Sequence, residues 1–281
     1  MYVVTNPEAG TADGFDDAVA HLGEHRSGPL DELPEDEDVV VAAGGDGTLH
    51  AVVAELYRRK LLDTVTVGLI PLGTGNDFAR GAGIPLEPAE AARLVRDGAP
   101  TAVDLLVDDG DHVVVNNVHV GAGAEAARAA RPWKKLLGPL GYAVGAATTA
   151  VRPPTLRLRV AVDGEVVSDR RTLQVAVGNA PYVGGGTPLT PRADLSDGKV
   201  DVMLSYALGP WARVGYALHL RRGSHHRRDD VRYVRGASVT VAGEPFHVSA
   251  DGEIEGPLSS RTWTVLPGAL TMVIGDDPAA S

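Results

Sequence analysis

The sequence has no cysteine, three phenylalanines and only four lysines, Lys60, Lys134, Lys135 and Lys199. Without cysteine there is no disulfide framework, thiolate metal site or thiol nucleophile, and the absence fits a reducing cytosol. Long hydrophobic runs are also missing. The most apolar stretch, Leu136 to Val151, is interrupted by Gly138, Pro139, Gly141 and Gly145. It falls short of the roughly 18–20 apolar residues that span a bilayer. The opening MYVVTNPEAG lacks the basic region and apolar core of a signal peptide and reads as a strand entering a turn. The expectation is a soluble, cytoplasmic chain whose contact with a membrane, if it has one, is peripheral. Positive charge is in deficit, with 26 basic against 37 acidic residues and a net charge of −11. A nucleic-acid partner is therefore not expected, because phosphate neutralisation needs clustered positive charge. An Asp-rich, lysine-poor composition resembles proteins of salt-loving microbes, and a GC-rich genome produces the same bias.

What is present is enough apolar sequence, 44% of 281 residues, for one large domain or two ordinary ones. The first third alternates. Met1–Thr5, Asp38–Ala43 and Val65–Ile70 read as strands, the latter two as continuous apolar runs buried on both faces. Gly14–Leu22, Thr48–Leu61 and Pro88–Arg96 have helical spacing, with Leu49, Val52, Val53 and Leu56 on one face of the second. Such alternation predicts an α/β domain with a parallel sheet over residues 1–100. Beyond Pro100 the pattern turns to alternating, β-branched runs. Thr101–Val107 and His112–Val118 suggest a hairpin, followed by helices over Ala122–Ala130 and Trp133–Val151. Strands are expected at Leu156–Val162, Leu173–Val177, Val200–Ser205, Ser238–Ala242, Phe246–Ala250 and Thr262–Leu266. Residues 101–267 are thus expected to form a mainly antiparallel β domain, with the 268–281 end, including a strand at Ala269–Ile274, returning to the first.

Two glycine loops leave the buried strands of the first half. Gly44-Gly45-Asp46-Gly47-Thr48 joins a strand to a helix, where free amides and the positive end of the helix suit phosphate. Asp46 there suits a magnesium ion or a ribose hydroxyl. Gly73-Thr74-Gly75-Asn76-Asp77 lies in PLGTGNDFAR. In a parallel sheet both loops emerge at the carboxyl edge, where ligands bind. Thr74 and Asn76 can reach phosphates, Asp77 can join Asp46 around a metal, and Arg80 can pair with a phosphate.

Together GGDGTLHAVV and PLGTGNDFAR resemble the catalytic domain of the diacylglycerol kinases, a family shared with sphingosine and ceramide kinases and, more distantly, NAD kinases. Further segments extend the likeness: Leu137-Gly138-Pro139-Leu140-Gly141-Tyr142, Asn179-Ala180-Pro181-Tyr182-Val183-Gly184-Gly185-Gly186, Asp197-Gly198-Lys199-Val200-Asp201-Val202, and Asp251-Gly252-Glu253 followed by Leu266-Pro267-Gly268-Ala269-Leu270. The resemblance implies an NAD kinase/diacylglycerol kinase-like fold with catalysis between the two domains. It implies an ATP- and Mg²⁺-dependent lipid kinase acting on the hydroxyl of a diacylglycerol-like lipid. Asn6, Pro7, Gly10, Gly44, Gly45, Asp46, Gly47, Thr48, Gly73, Thr74, Gly75, Asn76 and Asp77 would hold the nucleotide. Asp46 and Asp77 would hold magnesium, and Asp197, with main-chain oxygens near Asp194 and Lys199, a second magnesium. Asp251 and Glu253 would supply the base, Glu253 being the family's usual assignment. Lipid is the implied partner, and a homodimer is left open.

The chain departs from the family pattern at Ala9, at His50-Ala51 in place of Asn-Glu, and in the 33 residues between Gly10 and Gly44. The family has a further strand and helix there, with a nucleotide-contacting Thr that has no match here. These departures keep two alternatives in view: an NAD kinase-like phosphotransferase on a soluble acceptor, and a catalytically inactive nucleotide-binding regulatory protein. Asp163-Gly164-Glu165 repeats the Asp-Gly-Glu sequence but sits between two alternating strands, where a type I′ hairpin accounts for it. The basic run Arg221–Arg228 reads as a solvated loop, with contact to anionic headgroups as the alternative. Arg128, Arg131, Trp133, Lys134 and Lys135 read equally as an interfacial element or as packing around a core tryptophan. His225-His226 lacks the further ligands of a metal site.

Overall fold

A computed structural model describes residues 1–5, 14–128 and 155–275. The expected Trp133–Val151 helix, the 137–142 segment and Asn6, Pro7 and Gly10 lie outside those residues.

In the first half, β1 (Tyr2–Thr5), β2 (Arg26–Gly28), β3 (Val39–Gly44) and β4 (Thr66–Pro71) form a parallel sheet in the order β2-β1-β3-β4. Alternation along β3 sorts its side chains onto two faces. Val40 and Ala42 pack with Leu49, Val52, Val53 and Leu56 of α2 (Asp46–Arg59), and Val41 and Ala43 pack with Ala18 of α1 (Phe15–Val19) and Ala92 and Val95 of α4 (Pro88–Asp97). Both faces of the sheet are thus covered, which is why its strands read as unbroken apolar runs. Fully burying each of the valine and leucine side chains among them contributes about 1.5–3 kcal/mol. The short connection before Gly44 does contain a strand, β2, while the helix expected of the family is reduced to a 3₁₀ turn at Leu30–Glu32. Arg26-Ser27-Gly28 has no apolar period, so backbone pairing to β1 alone makes it a strand.

The second half is antiparallel: β5 (Pro100–Asp108), β6 (Val113–Val114), β7 (Asn117–Gly121), β8 (Leu156–Val162), β9 (Glu165–Thr172), β10 (Gln174–Gly178), the short pair β11 (Tyr182–Val183) and β12 (Thr187–Pro188), then β13 (Val200–Ser205), β14 (Val231–Gly236), β15 (Ser238–Ala250) and β16 (Glu253–Val273). Residues 122–128 form a helix, α5, and Pro210–Arg221 form α6. A valine-rich core fills this half around the fully buried Trp263 and Phe246, in keeping with the preference of β-branched residues for pleated surfaces. The expected mixed architecture, parallel first and antiparallel second, is the one observed.

Three strand expectations need correction. The proposed strand His112–Val118 is broken at Val115-Asn116 into β6, which pairs with β5, and β7, which pairs with β10 and β15. The break occurs because the amides of Val115, Asn116 and Asn117 all turn toward the carboxylate of Asp251. Ser238–Ala242 and Phe246–Ala250 are one strand, β15, with the register shifted between them. Thr262–Leu266 and Ala269–Ile274 likewise belong to β16, whose register shifts between Leu266 and Leu270 across Pro267-Gly268. The last residues of β16, Thr271 and Met272, pair in parallel with Thr66 and Val67 of β4 and in antiparallel with β5.

Close packing of α4 on the sheet gives a direct test. A Cβ added to Gly68 would lie 2.8 Å from both methyls of Val95. Gly68→Ala is therefore expected to cost about 1–3 kcal/mol by overpacking. Urea unfolding of the variant and of Gly68→Ala combined with Val95→Ala checks this, with partial recovery expected in the pair.

Candidate active site

The loops that follow β3 and β4 touch. A Cβ placed on Gly73 would fall 2.5 Å from the Cα of Gly45, and one on Gly45 would fall 3.1 Å from the Cα of Gly73. The first distance admits only hydrogen at Gly73, and the second leaves a side chain at Gly45 tightly crowded. Gly44 is constrained in the same way, since its Cβ would meet the Thr48 hydroxyl at 2.2 Å. Asn76, at φ 51°, closes the second loop on itself: its amide nitrogen donates to the Gly73 carbonyl at 2.8 Å, and its side-chain oxygen accepts from the Gly73 amide at 3.1 Å. Thr74 and Gly47 remain exposed at the mouth. The Thr48 and Leu49 amides of α2 donate to the Gly45 carbonyl at 2.9 and 3.1 Å, which leaves the amides of Asp46 and Gly47 and the positive helix end to face an anion at the shared edge.

Asp46 joins the loops. Its carboxylate accepts the amides of Asp77 at 3.1 Å and Phe78 at 2.9 Å, the first residues of α3 (Asp77–Gly81). Asp77 in turn accepts the amides of Gly185 at 2.9 Å and Gly186 at 2.7 Å, from the loop between β11 and β12 in the other half of the molecule. Burial raises the pKa of Asp77; the two glycine amides oppose that, and the Asp46 charge adds to it. Both carboxylates face Gly75, where a Cβ would stand 3.3 Å from Asp46 Oδ2 and 3.5 Å from Asp77 Oδ2. Two neighbouring carboxylates with spare oxygen lone pairs are the donor set a hard divalent cation takes. The residues there fit magnesium.

The 194–199 loop fits it less well. Asp197 is ion-paired with Arg235 and accepts the Lys199 amide, and Asp194 accepts the amide and hydroxyl of Ser196. A carboxylate already neutralised by a guanidinium offers little to a cation. What does anchor this loop is Asp104, a residue the sequence reading passed over inside Val103–Val107. It is 1% exposed and accepts the amides of Gly198 at 2.6 Å and Gly268 at 2.7 Å. A lone acid in an otherwise buried run was the available signal.

The two Asp-Gly-Glu copies separate by environment, not by backbone. Asp163-Gly164 and Asp251-Gly252 both have two positive φ angles and both close a two-residue hairpin. The Asp163 carboxylate accepts two amides at an exposed position. The Asp251 side chain is 2% exposed and accepts four donors: Val115 at 2.6 Å, Asn116 and Asn117 at 3.0 Å, and the ring Nδ1–H of His50 at 3.0 Å. Its lone pairs are fully engaged, which makes it an anchor and leaves it nothing for an acceptor hydroxyl. Glu253, two residues on, is exposed and stands near enough to His50 to act on its charge.

His50, where the family has Asn, lies one turn into α2 and reaches across to Asp251. Burial alone would depress its pKa; the hydrogen bond and charge of Asp251, with Glu253 adding to them, outweigh burial and raise it. On β7, burial holds His119 down at about 4, so that imidazole is neutral.

Two family models match the chain: the diacylglycerol kinase catalytic domain over residues 23–107, and the YegS C-terminal NAD kinase beta sandwich-like domain over residues 116–274. A Stenotrophomonas maltophilia protein named "Probable lipid kinase YegS-like" is 34% identical over 250 residues, covering 84% of this chain and 78% of that protein. A Pseudomonas aeruginosa protein of the same name is 34% identical over 235 residues, covering 82% and 74%. Among solved structures, a diacylglycerol kinase from Bacillus anthracis superposes with a TM-score of 0.73 at 20% identity, covering 100% of this chain and 97% of the other. An NAD kinase from Archaeoglobus fulgidus in complex with ATP gives 0.54 at 16% identity, covering 98% and 93%. The fold is that of the diacylglycerol kinase and NAD kinase class. The chain belongs to the diacylglycerol kinase catalytic-domain family, on its YegS-like branch.

Two outcomes follow. Asp251→Ala strands three backbone amides, each worth about 1–3 kcal/mol when buried and unpaired, so it is expected to lower stability by roughly 3 kcal/mol or more. Glu253→Ala is expected to change it by less than about 0.5 kcal/mol; thermal denaturation of both checks this. The raised His50 pKa means its pairing contributes stability fully below the ordinary histidine value of about 6.5 and loses it as pH rises through the folded value. The melting gap between the native chain and His50→Asn should accordingly be wide at about pH 5.5 and close at about pH 9.

Proposed function

We propose that this protein transfers the terminal phosphate of ATP to the hydroxyl of a diacylglycerol-like lipid. The observation that carries the reading is the contact of the Gly45 and Gly73 loops, with His50, one turn into α2, bonded to Asp251, two residues before Glu253. In this reading residues 1–100, with the returning end of the chain, form the nucleotide lobe, and 101–267 the acceptor lobe. The loop amides, Thr74 and Arg80 bind and orient the phosphates. Asn76 and Asp77 shape the loop, and Asp77 ties it to the acceptor lobe through Gly185 and Gly186. Asp46, with Asp77 beside it, would hold magnesium, which when bound offsets the charge of the phosphate oxygens.

The acceptor oxygen attacks the terminal phosphorus, its proton passes to the Glu253 carboxylate, and the bond from phosphorus to the bridging oxygen breaks so that ADP departs. The protein's contribution is positioning and electrostatics. Glu253 takes the base role over Asp251 because it alone of the two has unoccupied lone pairs and solvent access. Support for a lipid acceptor comes from relatives named as lipid kinases at 34% identity, whereas the NAD kinase likeness is one of fold.

Incubating the protein with labelled ATP and, separately, diacylglycerol-type lipids, NAD and buffer tests the assignment. Label is expected in lipid; transfer to NAD, or nucleotide binding with no transfer to any acceptor, would overturn it. Glu253→Gln should lower kcat by about 10²–10⁴ with nucleotide affinity unchanged, and chelating magnesium should abolish transfer in the native chain.

A further inference from the structure

α6 has two unlike faces. Ala212, Tyr216 and Leu220 turn inward against Leu173, Leu189, Met203 and Ala207, with the Tyr216 hydroxyl 3.7 Å from the Met203 sulfur. Trp211, Val214 and Leu218, spaced three and four residues apart on the opposite side, turn outward. Trp211 is 85% exposed, Val214 52% and Leu218 53%, and Leu208 just before the helix is 42% exposed. Isolated exposed apolar residues are ordinary on soluble proteins, but a tryptophan heading a contiguous stripe on one helix face marks a contact surface.

Charge identifies the partner. In a chain of net charge −11, residues 202–228 contain five arginines and no acid. Arg228 is paired with Asp230, and Arg213 leans on the Ala207 carbonyl, whereas Arg221, Arg222 and Arg227 are exposed. Arg221 continues the Trp211–Val214–Leu218 stripe one turn further on. An apolar stripe headed by tryptophan and edged by arginines is complementary to a negatively charged bilayer surface: the ring sits at headgroup depth, the aliphatic side chains enter the acyl boundary, and the guanidiniums meet lipid phosphates. Another acidic surface would satisfy the arginines but not the apolar residues.

Position links this face to the cleft. Gly223, just past the helix, packs on Pro188 of β12, where a Cβ would stand 2.9 Å from the ring. The loop between β11 and β12 is the one whose Gly185 and Gly186 amides are held by Asp77. The helix that carries the exposed stripe is thus followed directly by a residue packed on the element that closes the nucleotide loop. We propose that the outer face of α6, with Arg221, Arg222 and Arg227, docks this protein on an anionic lipid bilayer, and so brings the acceptor lobe to its substrate. The delivery of substrate rests on the lipid-kinase reading; the docking itself does not.

The test is sedimentation of the full chain with phosphatidylcholine vesicles, with and without phosphatidylglycerol, in the absence of ATP. Binding to the anionic vesicles that weakens with salt is expected, accompanied by a blue shift of the tryptophan emission that Trp211→Phe reduces. Trp211→Ser with Leu218→Ser should cut the partition coefficient about tenfold or more. Arg221→Gln and Arg222→Gln should each cut it about fivefold on anionic vesicles and leave neutral ones unaffected. These are surface changes, so unaltered melting temperatures separate lost docking from lost folding. Native-like sedimentation of the Trp211→Ser, Leu218→Ser variant would overturn the proposal. So would a native chain that ignores vesicles but forms a dimer which the same variant dissociates, because the face would then belong to a second copy. Vesicle binding without phosphate transfer to lipid would uphold the docking surface and sink the kinase assignment alone.

Discussion

Four carboxylates, Asp46 half-buried and the other three almost wholly shielded from water, organise this molecule by accepting backbone amides from segments distant in sequence. Asp46 takes the start of α3, Asp77 the loop at Gly185-Gly186, Asp104 the amides of Gly198 and Gly268, and Asp251 the bend at residues 115–117. A buried carboxylate is costly unless its lone pairs are filled, and charge-assisted bonds to it are about twice as strong as neutral ones. Each therefore fixes one arrangement of its loop and penalises the alternatives. Glycines recur as donors because a residue without a side chain lets its amide come close. Several motif glycines thus serve acids elsewhere in the fold, not a ligand directly.

The same carboxylates shape the electrostatics of the cleft. Asp46 and Asp77 crowd their charges against Gly75 at the mouth of a helix whose amides favour anions. On the other side His50 stands between two acids, Asp251 and Glu253, whose bond and charge outweigh burial and raise its pKa. One of those acids is spent on structure and the other is left accessible. This division of labour between two carboxylates two residues apart follows from the surroundings of the turn: the 115–117 bend and His50 enclose Asp251, whereas Glu253 stands exposed at the start of β16.

The parallel half was largely legible because its signals are local: apolar runs for β3 and β4, the inward stripe on α2, and glycine loops directly after each strand. The family likeness was legible for the same reason. What could not be read was set at long range. Nothing in VVVNNV announces a break between Val115 and Asn117, since its cause is an aspartate 134 to 136 residues away. Asp104 sits in an otherwise apolar strand with nothing beside it in sequence to give it a role, which comes only from Gly198 and Gly268 converging on it. His50 stood out as a departure from the pattern, yet its partner is 201 residues further along. β2 escaped notice because Arg26-Ser27-Gly28 has no side-chain period, and the basic run after α6 was read without the exposed apolar face beside it.

The path of β16 sets the order in which this chain can complete itself. β4 and β5 are near neighbours in sequence, but they do not pair; the tail of β16 runs between them, parallel to one and antiparallel to the other. Until residues 271–272 have left the ribosome, the outer hydrogen-bonding edge of β4 has no partner and the two halves of the sheet stay unjoined. Contacts of such sequence separation form late, and an uncovered strand edge invites association with other chains. Nascent or shortened forms that stop before Thr271 would carry that edge into the cell.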